Sequence, residues 1–378
     1  MGDDLLELEI DAIDGAARAG RVHTPRGSFE TPVFMPVGTR GTVRAISSID
    51  LEALGAEILL GNTYHLMLRP GADVVDDLGG LHGFMAWSGH VLTDSGGFQI
   101  YSLEPDVSDE GAIFRSTYDG STHHLTPERA VEVQRLLGAD IQMVLDVCPA
   151  LPATADVLRT AVERTASWAR RGRAAFLAGR DAGRSITQRS QVQFGIVQGG
   201  ADAALRVESA QRTVEVGFDG YAVGGLSVGE TREEMLPALA AATDHLPADR
   251  PRYLMGVGDP LGFVEGIALG VDMFDCVLAT RLARHGTILT SQGRLNLRNA
   301  AHARSPEPLD PACSCEVCGR WSRGYLRHLL MVAEPTGPRL LTLHNVHWCL
   351  ELMRRARDAI RAGRFEALRA EIASVWAV

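Results

Sequence analysis

A chain of 378 residues, 46% hydrophobic and 22% charged, has an ordinary globular composition and can bury a large core. It has no apolar run long enough to cross a bilayer, and the acidic start Met1-Gly2-Asp3-Asp4 lacks a signal-peptide pattern, so a cytoplasmic protein is expected. A net charge of −10 argues against general nucleic-acid binding. The basic residues are all Arg, a bias that a GC-rich genome explains and that carries no functional information.

Residues 1–45 read as an antiparallel β preamble. Leu6-Glu7-Leu8-Glu9-Ile10 alternates, Gly and Pro punctuate the stretch after it, and Phe34–Thr39 leads into the first helix. A phrase then recurs. Leu54-Gly55-Ala56-Glu57 precedes Ile58-Leu59-Leu60. Leu137-Gly138-Ala139-Asp140 precedes Ile141–Leu145. Val216-Gly217-Phe218-Asp219 precedes Tyr221-Ala222-Val223, and Leu269-Gly270-Val271-Asp272 precedes Met273-Phe274. Each time an amphipathic segment stops at a Gly, which suits the position after a helix, and an apolar strand begins. Val91–Thr93, Gln193–Val197 and Arg252–Met255 supply further strands, about seven or eight between residues 56 and 290. Strands alternating with helices at this spacing predict an α/β fold, a (β/α)8 (TIM) barrel over residues 46–378. A doubly wound sheet is the alternative, but no G-x-G-x-x-G follows the first strand.

The polar residues fall where strands end: Asn62, Asp94, Asp146, Gln198, Gly224-Gly225, Met255-Gly256 and Asp275. In such barrels the site is built at the C-terminal ends of the strands. Asp275 lies in the apolar run Val271–Leu278, where a carboxylate is costly unless paired or used. On its own it also suits a structural cap of the next element. Three carboxylates facing one cavity repel, so at least one is expected to have a raised pKa or a partner that arrives with ligand.

Cys313-x-Cys315-x2-Cys318 followed by His344 reads as a Cys3His zinc site, closed and therefore structural, within an insertion at about residues 300–350. Cys276 and Cys349 lie off this pattern. From Arg281 to Arg327 there are eight Arg against three acids, a local +5 on an acidic protein and the expected look of a phosphate-binding face.

Thr93-Asp94-Ser95-Gly96-Gly97-Phe98-Gln99, Leu60–His65, Gly195–Gly200, Tyr221–Leu226 and Met273–Cys276 together resemble the tRNA-guanine transglycosylase family (queuine tRNA-ribosyltransferases), from about Pro32 to Asn345. The resemblance implies exchange of guanine at the wobble position of tRNAs with G-U-N anticodons for a 7-deazaguanine. It makes Asp275 the nucleophile on ribose C1′ and Asp94 the general acid/base. Asp146 would read the purine N1–H and 2-amino edge, with Gln198 and the backbone of Gly225 on its carbonyl. Phe98 and Met255 would stack on its faces, though by themselves such residues more often fill a core. Arg281 and Arg284 match tRNA contacts, one structural zinc is implied, and a homodimer is expected.

The loop at 279–287 departs from the family at Ala279, Leu282 and His285, and Val147 stands where an acid is common. Val228 and Cys148 match the positions beside the base's 7-substituent. A stiff Val228 disfavours the bulky queuine, so 7-aminomethyl-7-deazaguanine (preQ1) is expected, its ammonium on the Leu226 carbonyl with Glu230 orienting that peptide. The rival readings are insertion of queuine, action at another nucleic-acid position, and a non-catalytic RNA-binding partner subunit. Retention of Asp275 and Asp94 speaks against the last.

Overall fold

The computed structural model describes residues 5–103, 105–180 and 186–377; the start Met1–Asp4 lies outside them. Eight parallel strands close into a barrel: Val33–Gly38, Ile58–Gly61, His90–Thr93, Ile141–Met143, Val192–Val197, Gly220–Val223, Arg252–Leu254 and Met273–Cys276. Nearly every strand residue is buried, as expected of a parallel sheet covered on both faces.

The recurring phrase has a structural meaning at the N-terminal end of the barrel. Gly138 and Gly217 follow the helices Pro127–Leu137 and Ala203–Val216 with φ of 68° and 79°, conformations that a side chain would strain. The acid two residues later then reaches sideways to a backbone N–H at the start of the preceding strand. Asp140 accepts from Val91 N at 2.8 Å, Asp219 from Gln193 N at 2.8 Å and Asp272 from Arg252 N at 2.7 Å. Each also meets an arginine. Arg26 lies 2.7 Å from Asp140, Arg173 lies 2.9 Å from Asp219, and Arg18 grips both oxygens of Asp272 at 2.8 and 2.6 Å.

Arg18 and Arg26 come from the preamble, an antiparallel sheet of Glu7–Asp14, Ala17–Thr24 and Gly27–Thr31. Its Ala17, Ala19, Val22 and Phe29 join the main core, and Arg18 also donates to the carbonyls of Ala248 and Arg250. The preamble therefore lies across the N-terminal end of the barrel.

The preamble is shorter than the expected residues 1–45. Val33–Gly38 is the first barrel strand and pairs with both Met273–Cys276 and Ile58–Gly61. Its continuous apolar run lacks alternation because both faces are buried, and only closure of the barrel reveals its partners. After the third strand come a short helix, Gly97–Tyr101, and a three-stranded sheet (Asp106–Val107, Ala112–Arg115, Thr122–Leu125) that the strand–helix repeat does not announce.

The metal-site insertion begins earlier than residue 300, with the hairpin Thr287–Thr290 and Gly293–Asn296. It has a small core of its own, including Ile288, Leu297, Leu309, Val317 and Leu326. The long helix Thr336–Arg361 then runs back to the barrel, where Arg357 donates to Pro32 O at 2.8 Å.

Candidate active site

Five of the seven positions expected at strand ends follow a strand directly. Asn62 follows the second strand, Asp94 the third, Gln198 the fifth, Gly224-Gly225 the sixth and Met255-Gly256 the seventh, while Asp275 lies within the eighth. Asp146 lies three residues past its strand, on a buried extended segment that prolongs the ladder through Val144 N to Phe194 O at 3.1 Å.

Asp94 is held by the turn that follows the neighbouring strand. Thr63 N donates to its Oδ1 at 2.8 Å, Gly96 N to the same oxygen at 3.1 Å, and Asn62 Nδ2 to its Oδ2 at 2.5 Å. Asn62 also caps the helix Thr63–Leu66 by accepting from His65 N, so one side chain starts the helix and orients the carboxylate. Burial pushes the Asp94 carboxyl up to about 7, and the nearby Asp275 and Asp146 add to this against the pull of the Thr63 and Gly96 amides.

Asp146 accepts from Ser95 Oγ at 3.2 Å and from Gln198 Nε2 at 2.6 Å, and burial raises it to about 6. The other end of that amide, Gln198 Oε1, is buried with no hydrogen-bond partner among the described residues. Gln198 is pressed by the Gly224-Gly225 backbone: a Cβ on Gly224 would lie 2.8 Å from its Nε2, and one on Gly225 would strike its Oε1. Ser227 N and Val228 N both donate to Glu230, so the carboxylate fixes the Leu226–Ser227 peptide. Cys148 is buried, and burial followed by Asp146 pushes its thiol up to about 12. Met255 is partly buried against the core, whereas Phe98 is 59% exposed.

Asp275 is treated asymmetrically. Tyr253 OH and Gly256 N both donate to Oδ1, at 2.6 and 2.7 Å, while Oδ2 accepts nothing among the described residues. Burial raises its carboxyl despite those two donors. No arginine pairs with Asp94, Asp146 or Asp275 among the described residues, in contrast to the three acids at the other end of the barrel.

Two contributors went unread in the sequence. Tyr253 was visible only as an apolar strand residue. Arg206 lies on the buried stripe Leu205, Arg206, Ser209, Ala210 and Thr213 of its helix, and a cation on such a stripe is the one signal that could have marked it. Its side chain is fully buried and bonds four carbonyls, those of Gly200 at 2.8 Å, Val197 at 2.9 Å, Gly224 at 2.7 Å and Gly225 at 3.1 Å. It thereby fixes the peptide planes beside Gln198 and Gly225. Burial lowers its pKa to about 10, which leaves it charged at neutrality.

Arg281 and Arg284 lie on the helix Leu278–Arg284 directly after the strand of Asp275. Neither has an ion-pair partner among the described residues; Arg284 reaches only Thr280 Oγ1, at 3.4 Å.

The sulfurs of Cys313, Cys315 and Cys318 lie 3.8, 3.4 and 3.3 Å from His344 Nδ1, and all four ligand atoms fall within 4.8 Å of one another. A tetrahedral ion with ordinary zinc–ligand bond lengths places such N and S atoms about 3.6 Å apart. His344 Nε2 faces Leu289 O at 2.8 Å, which keeps the proton there and turns Nδ1 toward the sulfurs. The four can hold one metal ion.

A closed parallel barrel with carboxylates at its C-terminal mouth that meet no arginine among the described residues has the arrangement of a barrel enzyme. The chain matches the family described as "Queuine tRNA-ribosyltransferase" over residues 13–377, and it belongs to that family. Proteins named queuine tRNA-ribosyltransferase from Solidesulfovibrio magneticus and Sphingopyxis alaskensis are both 52% identical to it, with 96% and 97% of each chain covered respectively. One from Halothermothrix orenii is 49% identical over 95% of this chain and 93% of its own.

Proposed function

We propose that this protein replaces guanine at the wobble position of tRNAs with G-U-N anticodons by preQ1, in queuosine biosynthesis. The observation that carries the chemistry is the asymmetry at Asp275. Two donors occupy Oδ1 and leave Oδ2 free to attack ribose C1′. As the C1′–N9 bond breaks, the oxocarbenium character at C1′ is stabilised by the carboxylate beside it and collapses to an aspartyl–ribosyl ester. The departing guanine takes its proton from Asp94, whose pKa of about 7 suits giving and taking protons near neutrality. The incoming base loses its N9 proton to Asp94, and N9 attacks C1′ to break the ester. Two displacements restore the original anomer.

Asp146 suits the purine's N1–H and 2-amino donors, and Gln198, Gly225, Phe98 and Met255 complete the base site. The base site supports preQ1 over queuine. Val228 is stiff, Cys148 is buried, and the Glu230 hold on Ser227 N turns the Leu226 carbonyl away from that carboxylate and free for an ammonium. Arg281 and Arg284 contact tRNA phosphates. The Cys3His cluster holds one structural zinc, which when bound ties the insertion to the long helix. Exposed apolar side chains on the insertion, Tyr325, Met331 and Val332, support a homodimer, and work on tRNA implies the cytoplasm. No helix of the described residues is long and apolar enough to cross a membrane.

The test is transfer of labelled guanine into G-U-N anticodon stem-loops, followed by competition between preQ1 and queuine. Incorporation with preQ1 preferred is expected. No incorporation removes the base-exchange reading, and equal or better use of queuine removes the preQ1 assignment.

A further inference from the structure

We propose that Arg40 and Arg69, braced on Tyr118, form a phosphate-binding site for the RNA backbone on the rim of the barrel mouth, extending the Arg281–Arg327 face. The inference rests on the base-exchange reading. The three residues come from three separate connections. Arg40 follows the first barrel strand, which pairs with the strand of Asp275. Arg69 follows the helix Thr63–Leu66, whose cap Asn62 holds Asp94. Tyr118 sits in the turn between Ala112–Arg115 and Thr122–Leu125. The fold brings them together at the rim: Arg40 Cζ lies 5.6 Å and Arg69 Cζ 4.9 Å from the Tyr118 ring centroid. The ring is anchored through its hydroxyl, 2.9 Å from His65 Nδ1.

Both arginines are exposed, and neither has a carboxylate partner among the described residues. The adjacent Asp119 is taken up by Ser121, whose Oγ and N lie 2.7 and 3.1 Å from its Oδ1. Two guanidinium groups over one ring repel each other, and the arrangement becomes favourable when an anion joins them. Guanidinium forks match phosphate oxygens, and an arginine–aromatic surface is what a nucleic-acid strand meets. The cluster is also continuous with the other arginines. Arg284 is disfavoured as a cation first by burial and then by the nearby Arg44 and Arg281, so positive charge runs from Leu278–Arg284 through Arg44 toward Arg40. On a chain of net charge −10, an arc of unpaired arginines around three carboxylates fits one occupant, the backbone of the RNA whose base enters between them.

The experiment measures affinity of the full-length protein for a G-U-N anticodon stem-loop at several salt concentrations, using wild type, Arg40→Ala/Arg69→Ala and Arg40→Lys/Arg69→Lys. The alanine pair is expected to weaken binding roughly tenfold or more at low salt and to flatten the slope of log K against log salt by about 1.5 to 2. The KM for free guanine at saturating RNA and the melting temperature should stay at wild-type values, and the lysine pair should keep most of the slope. An unchanged slope in the alanine pair overturns the site. So does an unchanged slope with a shift in sedimentation, which assigns the cluster to a contact between protein copies. Failure of the wild type itself to bind the stem-loop removes the tRNA reading, whereas wild-type binding with an unaffected variant removes this site alone.

Discussion

Asp272 and Asp275 stand three positions apart and are treated in opposite ways. Asp272 is sealed against the Arg18 guanidinium, while Asp275 is half-buried without a cation and keeps one oxygen free. The carboxylates of the mouth are thus held at a cost that the fold could avoid, as is common where a site needs charge. Asp146 allows that cost to be measured. Its pKa is raised from an unfolded value near 4 to about 6, so the folded chain holds the extra proton between those values. The neutral form is the one the fold tolerates, and stability is lost as pH rises from 4 through 6. Asp146→Asn can still accept from Gln198 and donate to Ser95. It is expected to match wild type in stability below pH 4 and to exceed it by roughly 3 kcal/mol at pH 8, while losing base binding. Chemical denaturation at the two pH values checks this; an equal effect at both removes the titration argument. Asp275→Asn is expected to abolish the covalent RNA adduct on denaturing gels, because an amide oxygen is a far weaker nucleophile. An adduct with the variant transfers the nucleophile to Asp94.

Among the elements, the acid that opens a barrel strand acts as a lateral latch. It joins the start of its own strand to the start of the one before and receives an arginine from a covering layer. Asp272→Ala removes the counter-ion of Arg18, which is 5% exposed and stays buried. The expected loss is about 3 to 5 kcal/mol, because one buried charge is left uncompensated. Asp358→Ala, on the exposed ion pair with Arg354, should cost less than about 1 kcal/mol. Urea unfolding of both variants makes the comparison, and equal losses remove the latch. Arg206 performs a related task at the other end, where four carbonyls replace the carboxylate as its partners.

For the whole molecule, the metal cluster and the barrel mouth are joined by one helix. His344 belongs to the cluster, and its neighbour Asn345 accepts from Leu289 N at 3.0 Å and donates to Ala279 O at 3.0 Å. Ala279 lies in the helix that carries Arg281 and Arg284. Loss of the ion through Cys315→Ser or chelation is therefore expected to lower the melting temperature and RNA affinity together. Calorimetry alongside stem-loop binding checks the pair. A metal-free protein with wild-type melting and affinity removes the structural role.

The sequence alone determined the strand–helix repeat, because glycine after a helix and an acid before an apolar strand are local demands of each unit. It also determined which residues meet at the mouth, since strand ends of a barrel share one face, and it determined the metal quartet through cysteine spacing. What it could not carry was partnership across the closed sheet. Val33–Gly38 shows its role only when Met273–Cys276 arrives beside it, some 240 residues later. Tyr253 and Arg206 matter through the oxygens they meet, and those come from other strands. The acids were legible as acids, but whether an arginine neutralises them depends on the preamble and on packing. Electrostatic character at each end of the barrel is a property of distance in space, and the tertiary structure alone supplies that distance.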